Sequence, residues 1–118
     1  MKQQICILGS TGSIGTQAMD VISQHPDLYE AYALTANHRW KELAEQARRF
    51  HPAAVVIADE AYYEALTHEL SDMPDVKVYS GSKALEEIVE SESIDMVLTA
   101  MVGYSGLAPT IHYIKAIN

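Results

Sequence analysis

Three glycines at a spacing of three, Gly9, Gly12 and Gly15, interrupt the stretch "ICILGSTGSIGTQAMDVI" between Ile5 and Ile22. Glycine adopts backbone conformations that a Cβ forbids, so such a turn can approach a phosphate closely. Ser10, Thr11 and Ser13 add hydroxyl groups, and a helix starting near Ser13 would present unpaired N–H groups with partial positive charge. The chemistry on offer is anion binding, above all of a pyrophosphate. A tight strand-to-helix turn with a Ser or Thr cap would use the same residue types. Placement after the first strand of a β-α-β unit favours a dinucleotide. No Lys follows the last glycine, which argues against a Walker-type loop.

A second group of polar residues lies at "TANHRW", Thr35 to Trp40. In a dinucleotide fold the end of the second strand meets the adenosine ribose. A carboxylate there bonds the 2′-hydroxyl of NAD, whereas basic groups accept the 2′-phosphate of NADP. Here the nearest carboxylate is Glu42, and Asn37, His38 and Arg39 offer an amide, an imidazole and a guanidinium. A charge-assisted contact to phosphate contributes about 1.5–3 kcal/mol, tenfold or more in preference. These residues therefore point to NADPH, although a solvated helix start would look similar.

Positioning these groups requires alternating strands and helices. Apolar runs at 5–8, 30–36, 53–58, 76–79 and 95–100 read as five strands, and the intervening segments have helical spacing. Ile14, Ala18, Val21 and Ile22 mark a helix over Ser13–His25, ended by Pro26. Trp40, Leu43, Ala44, Ala47 and Phe50 share one face of a second, and Leu85, Ile88 and Val89 form the buried stripe of a helix over Ser82–Glu90. A helix is expected around Glu60–Leu70, and another over Leu107–Ile117 after a glycine loop, "MVGYSG". Five strands joined by crossover helices imply an α/β fold, a doubly wound parallel sheet in a Rossmann-like three-layer sandwich. The last helix stops at Asn118 with no cap glycine and no sixth strand, as expected of the N-terminal piece of a longer protein. A missing sixth strand would leave "DMVLTA" as an open edge.

Composition narrows the function classes. The 118 residues include 8 Lys and Arg against 16 Asp and Glu, a net charge of −8, which disfavours nucleic acid and anionic membranes as partners. The one cysteine, Cys6, allows no internal disulfide and suits a reducing, cytoplasmic setting. The opening residues have neither signal-peptide nor membrane-spanning length. Tyr79 and Lys83 have the spacing of a short-chain dehydrogenase pair, but they straddle a strand end and a turn rather than one helical face. Glu42, Glu45, Glu60, Glu64, Glu86, Glu87 and Glu90 are scattered over helix surfaces, and His25, His51, His68 and His112 show no ligand spacing. No catalytic residue and no metal ligand is expected.

With these residues placed, the chain resembles the 1-deoxy-D-xylulose 5-phosphate reductoisomerase family. "ILGSTGSIGTQAMDVI", "YALTAN", "VVIAD" and "LTAMVGYSGLAPTIHYIKA" carry the likeness over essentially the whole chain. The resemblance implies an NADPH-binding domain over residues 1–118. Pyrophosphate contacts would fall on Thr11, Gly12, Ser13 and Ile14, and ribose and 2′-phosphate contacts on Asn37, His38 and Arg39. Ala100, Met101 and Val102 would lie beside the nicotinamide. Many members read A-G-K-N where this chain has Ala36-Asn37-His38-Arg39; Asn tolerates the left-handed conformation that a glycine there would use. The family's Mg²⁺ or Mn²⁺ ligands, its lid and its C-terminal domain would follow Asn118, so this chain alone would bind NADPH without turnover. The complete enzyme would be a homodimer that rearranges and reduces a sugar phosphate in isoprenoid biosynthesis. A stand-alone NAD(P)-binding or redox-sensing module, and a dehydrogenase of another family such as a semialdehyde dehydrogenase, are the alternatives.

Overall fold

The computed structural model describes residues 2–101 and 110–115, with side chains described from Lys2 to Thr99. The order of elements is β1 (Gln3–Leu8), α1 (Ser13–Gln24), β2 (Tyr29–Ala36), α2 (Trp40–Phe50), β3 (Ala54–Ile57), a 3₁₀ turn (Glu60–Tyr62), α3 (Tyr63–Glu69), β4 (Lys77–Ser80), α4 (Ser82–Val89), β5 (Met96–Met101) and β6 (Thr110–Lys115). The five expected strands are all present, paired in parallel in the order β4-β3-β2-β1-β5. The chain builds outward from β1 to β4 and then crosses back to place β5 on the other side of β1. That reversal creates a crevice between the carboxyl ends of β1 and β5, where doubly wound sheets bind ligands.

Local chemistry sets the helix boundaries. His25 caps α1, its N–H donating to the Ile22 carbonyl at 3.1 Å, and Pro26 prevents continuation. In α2, Leu43, Ala44 and Ala47 are buried and Trp40 and Phe50 pack beside them. Glu42 in its first turn and Arg48 and Arg49 in its last complement the helix dipole. His51 ends α2 in the left-handed region, at φ 49° and ψ 55°, ahead of Pro52.

The two faces of the sheet are covered unequally. Ile5, Ile7, Leu34, Val55 and Ile57 meet α1, α2 and α3 through Met19, Ile22, Leu43, Ala47 and Leu66. On the other face Cys6, Ala33, Ala54, Ile94 and Val97 are packed by Ile88 and Val89 of α4. Leu85, Ile88 and Val89 are only half-buried rather than forming a buried stripe. Among the described residues α4 is the one helix on that face, and none of them closes over its flanks. A bulge in β2 rephases its alternation. Ile5 pairs with Ala31 and Cys6 with Ala33, which allows both Ala31 and Leu34 to face the larger core.

The chain's last described segment departs from the expected helix over Leu107–Ile117. Residues 110–115, "TIHYIK", form β6, antiparallel to β5 from Met96↔Lys115 to Met101↔Thr110. Two physical causes favour the strand. Thr110, Ile111, Tyr113 and Ile114 are β-branched or aromatic, and the edge of β5 otherwise leaves a row of unpaired backbone groups. β5 is therefore not an open edge. The expected "MVGYSG" loop, after Met101, lies outside the described residues.

Candidate functional site

The glycine turn leaves β1 at Leu8 and enters α1 at Ser13, beside the β1/β5 reversal. Gly9 has φ +80°, a conformation that side-chain-bearing residues adopt at a cost. Its N–H donates to Thr35 Oγ1 at 3.0 Å, and the Ser10 N–H donates to the Thr35 carbonyl at 2.9 Å. Thr35, near the end of β2, thus holds the start of the turn with both its backbone and its hydroxyl.

Ser10 corrects one expectation. Its side chain is 0% exposed, so its hydroxyl does not face an anion. Ser10 Oγ donates to Gln46 Oε1 at 2.7 Å, with the Thr35 carbonyl a second acceptor at 3.2 Å, while Gln46 Nε2 donates to the Ser10 carbonyl at 2.8 Å. The hydroxyl is an internal brace.

Gly15 is required by the close approach of the turn to α1. A Cβ there would overlap the Gly9 carbonyl oxygen and stand 2.7 and 2.8 Å from Ser10 Cα and C. Gly12 is the N-cap of α1, extended at φ −75° and ψ 173°, and no side chain caps the helix. The first turn of α1 also holds no acidic residue. Its N–H groups are therefore free of the side-chain caps that usually occupy them. Thr11 is 9% exposed, Gly12 and Ile14 are half-buried, and Ser13 is exposed. These residues run across an uncapped helix end.

Asn37, His38 and Arg39 are exposed at the carboxyl end of β2. The Asn37 carbonyl accepts from the Asp59 N–H at 2.9 Å, which ties the segment to the end of β3. Arg39 Nη1 donates to the Thr11 carbonyl at 3.4 Å, joining the basic segment to the glycine turn. Among the described residues His51 alone is a non-glycine residue with positive φ. Asn37 therefore does not take the left-handed conformation that its side chain tolerates. The backbone here turns without it.

A cavity of about 410 Å³ opens beside the turn, lined by Leu8, Gly9, Ala36, Ala58, Leu85 and Val89 among others. The half-buried flank of α4 gives it apolar walls, in which a flat aromatic ring would fit. Ala58, Leu85 and Val89 are not among the expected site residues: Leu85 and Val89 reach β1 through the crossover of α4, and Ala58, just past β3, is held by its N–H to the Ala36 carbonyl at 2.9 Å. A larger depression, about 530 Å³, lies at the opposite, amino end of the strands, next to Gln4 and Glu30. It shares no residue with the glycine turn. Ala100 and Met101 are the last two residues of β5, just past the Leu8↔Thr99 pair, and Val102 lies outside the described residues.

The other candidate chemistries find no support in the geometry. Cys6 is 0% exposed and burial pushes its thiol up to about 12, which leaves it protonated and unreactive. Tyr79 lies in β4 and Lys83 in α4, not on one helical face. Among the described residues, no three His, Cys, Asp or Glu side chains group to hold a metal ion, and no helix is long and apolar enough to cross a membrane.

Known proteins match both the sequence and this fold. The family model for 1-deoxy-D-xylulose 5-phosphate reductoisomerase matches residues 5–118. The chain is 66% identical over 116 residues to the 1-deoxy-D-xylulose 5-phosphate reductoisomerase of Phocaeicola vulgatus, a match covering 98% of this chain and 30% of the relative. A solved structure of the Zymomonas mobilis reductoisomerase in complex with NADPH superposes with a TM-score of 0.80 at 35% identity, covering 90% of this chain and 28% of that one. A structure of DOX-P reductoisomerase in complex with magnesium gives a TM-score of 0.81 at 36% identity, over 90% of this chain and 26% of the other. The chain spans about 30% of the length of the curated relatives it matches. It belongs to the 1-deoxy-D-xylulose 5-phosphate reductoisomerase family.

Proposed function

We propose that residues 1–118 form the NADPH-binding unit of an enzyme that converts 1-deoxy-D-xylulose 5-phosphate to 2-C-methyl-D-erythritol 4-phosphate. The observation that carries this reading is the glycine turn. Gly9 takes a positive φ, the lack of a Cβ at Gly15 lets the turn lie directly against α1, and the first turn of α1 has no side-chain cap. Thr11, Gly12, Ser13 and Ile14 would hold the pyrophosphate, and Asn37, His38 and Arg39 the 2′-phosphate end. The apolar cavity beside Leu85 and Val89 suits the adenine, and the family resemblance would put Ala100, Met101 and Val102 at the nicotinamide.

When bound, NADPH supplies a hydride; this chain's residues bind and orient it. The described residues include no group of three or more His, Cys, Asp or Glu side chains that could hold a divalent cation. Their part in the reaction is to hold the reductant. The family relationship also supports a cytoplasmic homodimer acting on a sugar phosphate.

A titration of the complete gene product with NADPH and with NADH tests the cofactor reading, and NADPH oxidation on adding 1-deoxy-D-xylulose 5-phosphate with Mg²⁺ tests the activity. Tighter binding of NADPH by about tenfold or more is expected from one charge-assisted phosphate contact. Equal affinities would overturn the assignment of Asn37, His38 and Arg39.

A further inference from the structure

Helix α2 touches the glycine turn at two places. Arg39, its N-cap, donates to the Thr11 carbonyl, and Gln46, two turns further along, meets Ser10 with both ends of its amide. The Ser10 carbonyl can only accept, so the amide nitrogen faces it and the amide oxygen receives the hydroxyl. Ser10 is fully buried. Without Gln46 the Ser10 carbonyl loses this donor, and the hydroxyl keeps only its longer contact to the Thr35 carbonyl, at 3.2 Å.

We propose that Gln46 is a positioning residue of the dinucleotide site. It fixes Ser10, and through Ser10 the path of Thr11 and Gly12 and the aim of the free N–H groups at the start of α1. Because Gln46 and Arg39 belong to one rigid helix, the same brace sets the distance between the turn and the basic segment. A ligand that engages both depends on that distance, and the proposal rests on the NADPH reading in taking the dinucleotide for that ligand. NADH engages the turn but has no 2′-phosphate, so it depends on the brace less. Gln46 need not touch the cofactor, since its amide is already paired at both ends.

The test compares Gln46→Met, Gln46→Glu and Ser10→Ala with the parent protein, each as the complete gene product, by steady-state kinetics with NADPH and NADH and by thermal melting. Gln46→Met keeps the length of the side chain and removes both hydrogen bonds. Its KM for NADPH is expected to rise about tenfold, with a smaller rise for NADH and a far smaller fall in kcat at saturating cofactor. Gln46→Glu sets a carboxylate oxygen against the Ser10 carbonyl and is expected to raise KM at least as much. Ser10→Ala keeps the bond from Gln46 Nε2 to the backbone, so its KM rises less, and it remains informative if Gln46→Met does not fold. The penalties of Ser10→Ala and Gln46→Met are expected not to add in the double variant. A lowered melting temperature with KM unchanged for both cofactors would overturn the proposal. Failure of the parent protein to prefer NADPH would instead remove the cofactor reading on which it rests.

Discussion

The Arg39 guanidinium donates to the carbonyl of Thr11, 28 residues earlier in the chain, at 3.4 Å. The hydrogen bond joins two segments of different chemistry, the glycine turn and the carboxylate-free end of β2. It is long and one-sided, and Arg39 remains exposed. A guanidinium resting on a neutral carbonyl exchanges that partner readily for a phosphate, whose charge and paired oxygens match the guanidinium fork.

Arg39→Ala should therefore weaken NADPH binding by about tenfold and leave NADH binding within about twofold. Folding should be little affected, because the Arg39 side chain is exposed and water can replace it at the Thr11 carbonyl. Fluorescence titration with both cofactors checks this. A parallel loss of affinity for the two would mean that Arg39 serves the turn and not the 2′-phosphate. His38→Ala, measured alongside, reports how much of the basic contact belongs to the imidazole.

Gly15→Ala should be more damaging although it adds a single methyl group. The new Cβ would overlap the Gly9 carbonyl and crowd the Ser10 backbone, and none of these atoms is the end of a flexible side chain. Overpacking of this kind costs about 1–3 kcal/mol, and relief requires α1 or the turn to move. Loss of stability and loss of NADPH affinity are both expected, read by urea denaturation and titration. Gly12→Ala is the control. A Cβ there meets only the Gly9 carbonyl oxygen, at an ordinary 3.6 Å, so its effect on folding should be smaller.

Local patterns read correctly where short-range chemistry decides. Glycine after "ICIL", proline after His25 and the apolar face of Trp40, Leu43, Ala44, Ala47 and Phe50 each locate an element within a residue or two. In the sequence the Ser10 hydroxyl reads as an anion ligand, because its real partners, Thr35 and Gln46, lie 25 and 36 residues away. No periodicity reports such a pairing. "TIHYIK" reads as a helix when the β-α alternation is extended; the open edge of β5, a tertiary feature, decides for a strand. The bulge in β2 is equally invisible, since it exists only in the register against β1.

Acid should loosen the loop after α3. Arg48 donates to both oxygens of Asp72, at 2.9 and 3.0 Å, and to the Glu69 carbonyl. The hydrogen bonds from Arg48 hold the Asp72 carboxyl below its ordinary value of 3.8. A carboxyl lowered by folding contributes stability above that value and loses it as the pH falls through the lower folded one. Asp72→Asn should thus be less stable than the parent at pH 7, and the gap should close below about pH 3.8. The pair is exposed, so the gap should be small and shrink in high salt. Urea midpoints at several pH values check this, and a gap independent of pH would exclude the ion pair as its cause.

Cys6 should behave as an apolar core residue rather than as a thiol. It lies in β1 at 0% exposure, in the smaller core with Ala33, Ala54, Ile94 and Val97. Burial raises it from 9.0 to about 12, so folding favours the neutral form. That contribution is complete below the unfolded value near 9 and is lost as the pH rises from there toward 12. At pH 8 a thiol reagent should label the native protein only as fast as it opens, and the denatured protein at once. Cys6→Ser would bury a hydroxyl in an apolar site at a cost of about 1–3 kcal/mol, while cofactor affinity in the folded fraction stays unchanged. Rapid labelling of the native protein, with NADPH protecting the thiol, would place Cys6 at the cofactor surface and contradict its burial in β1.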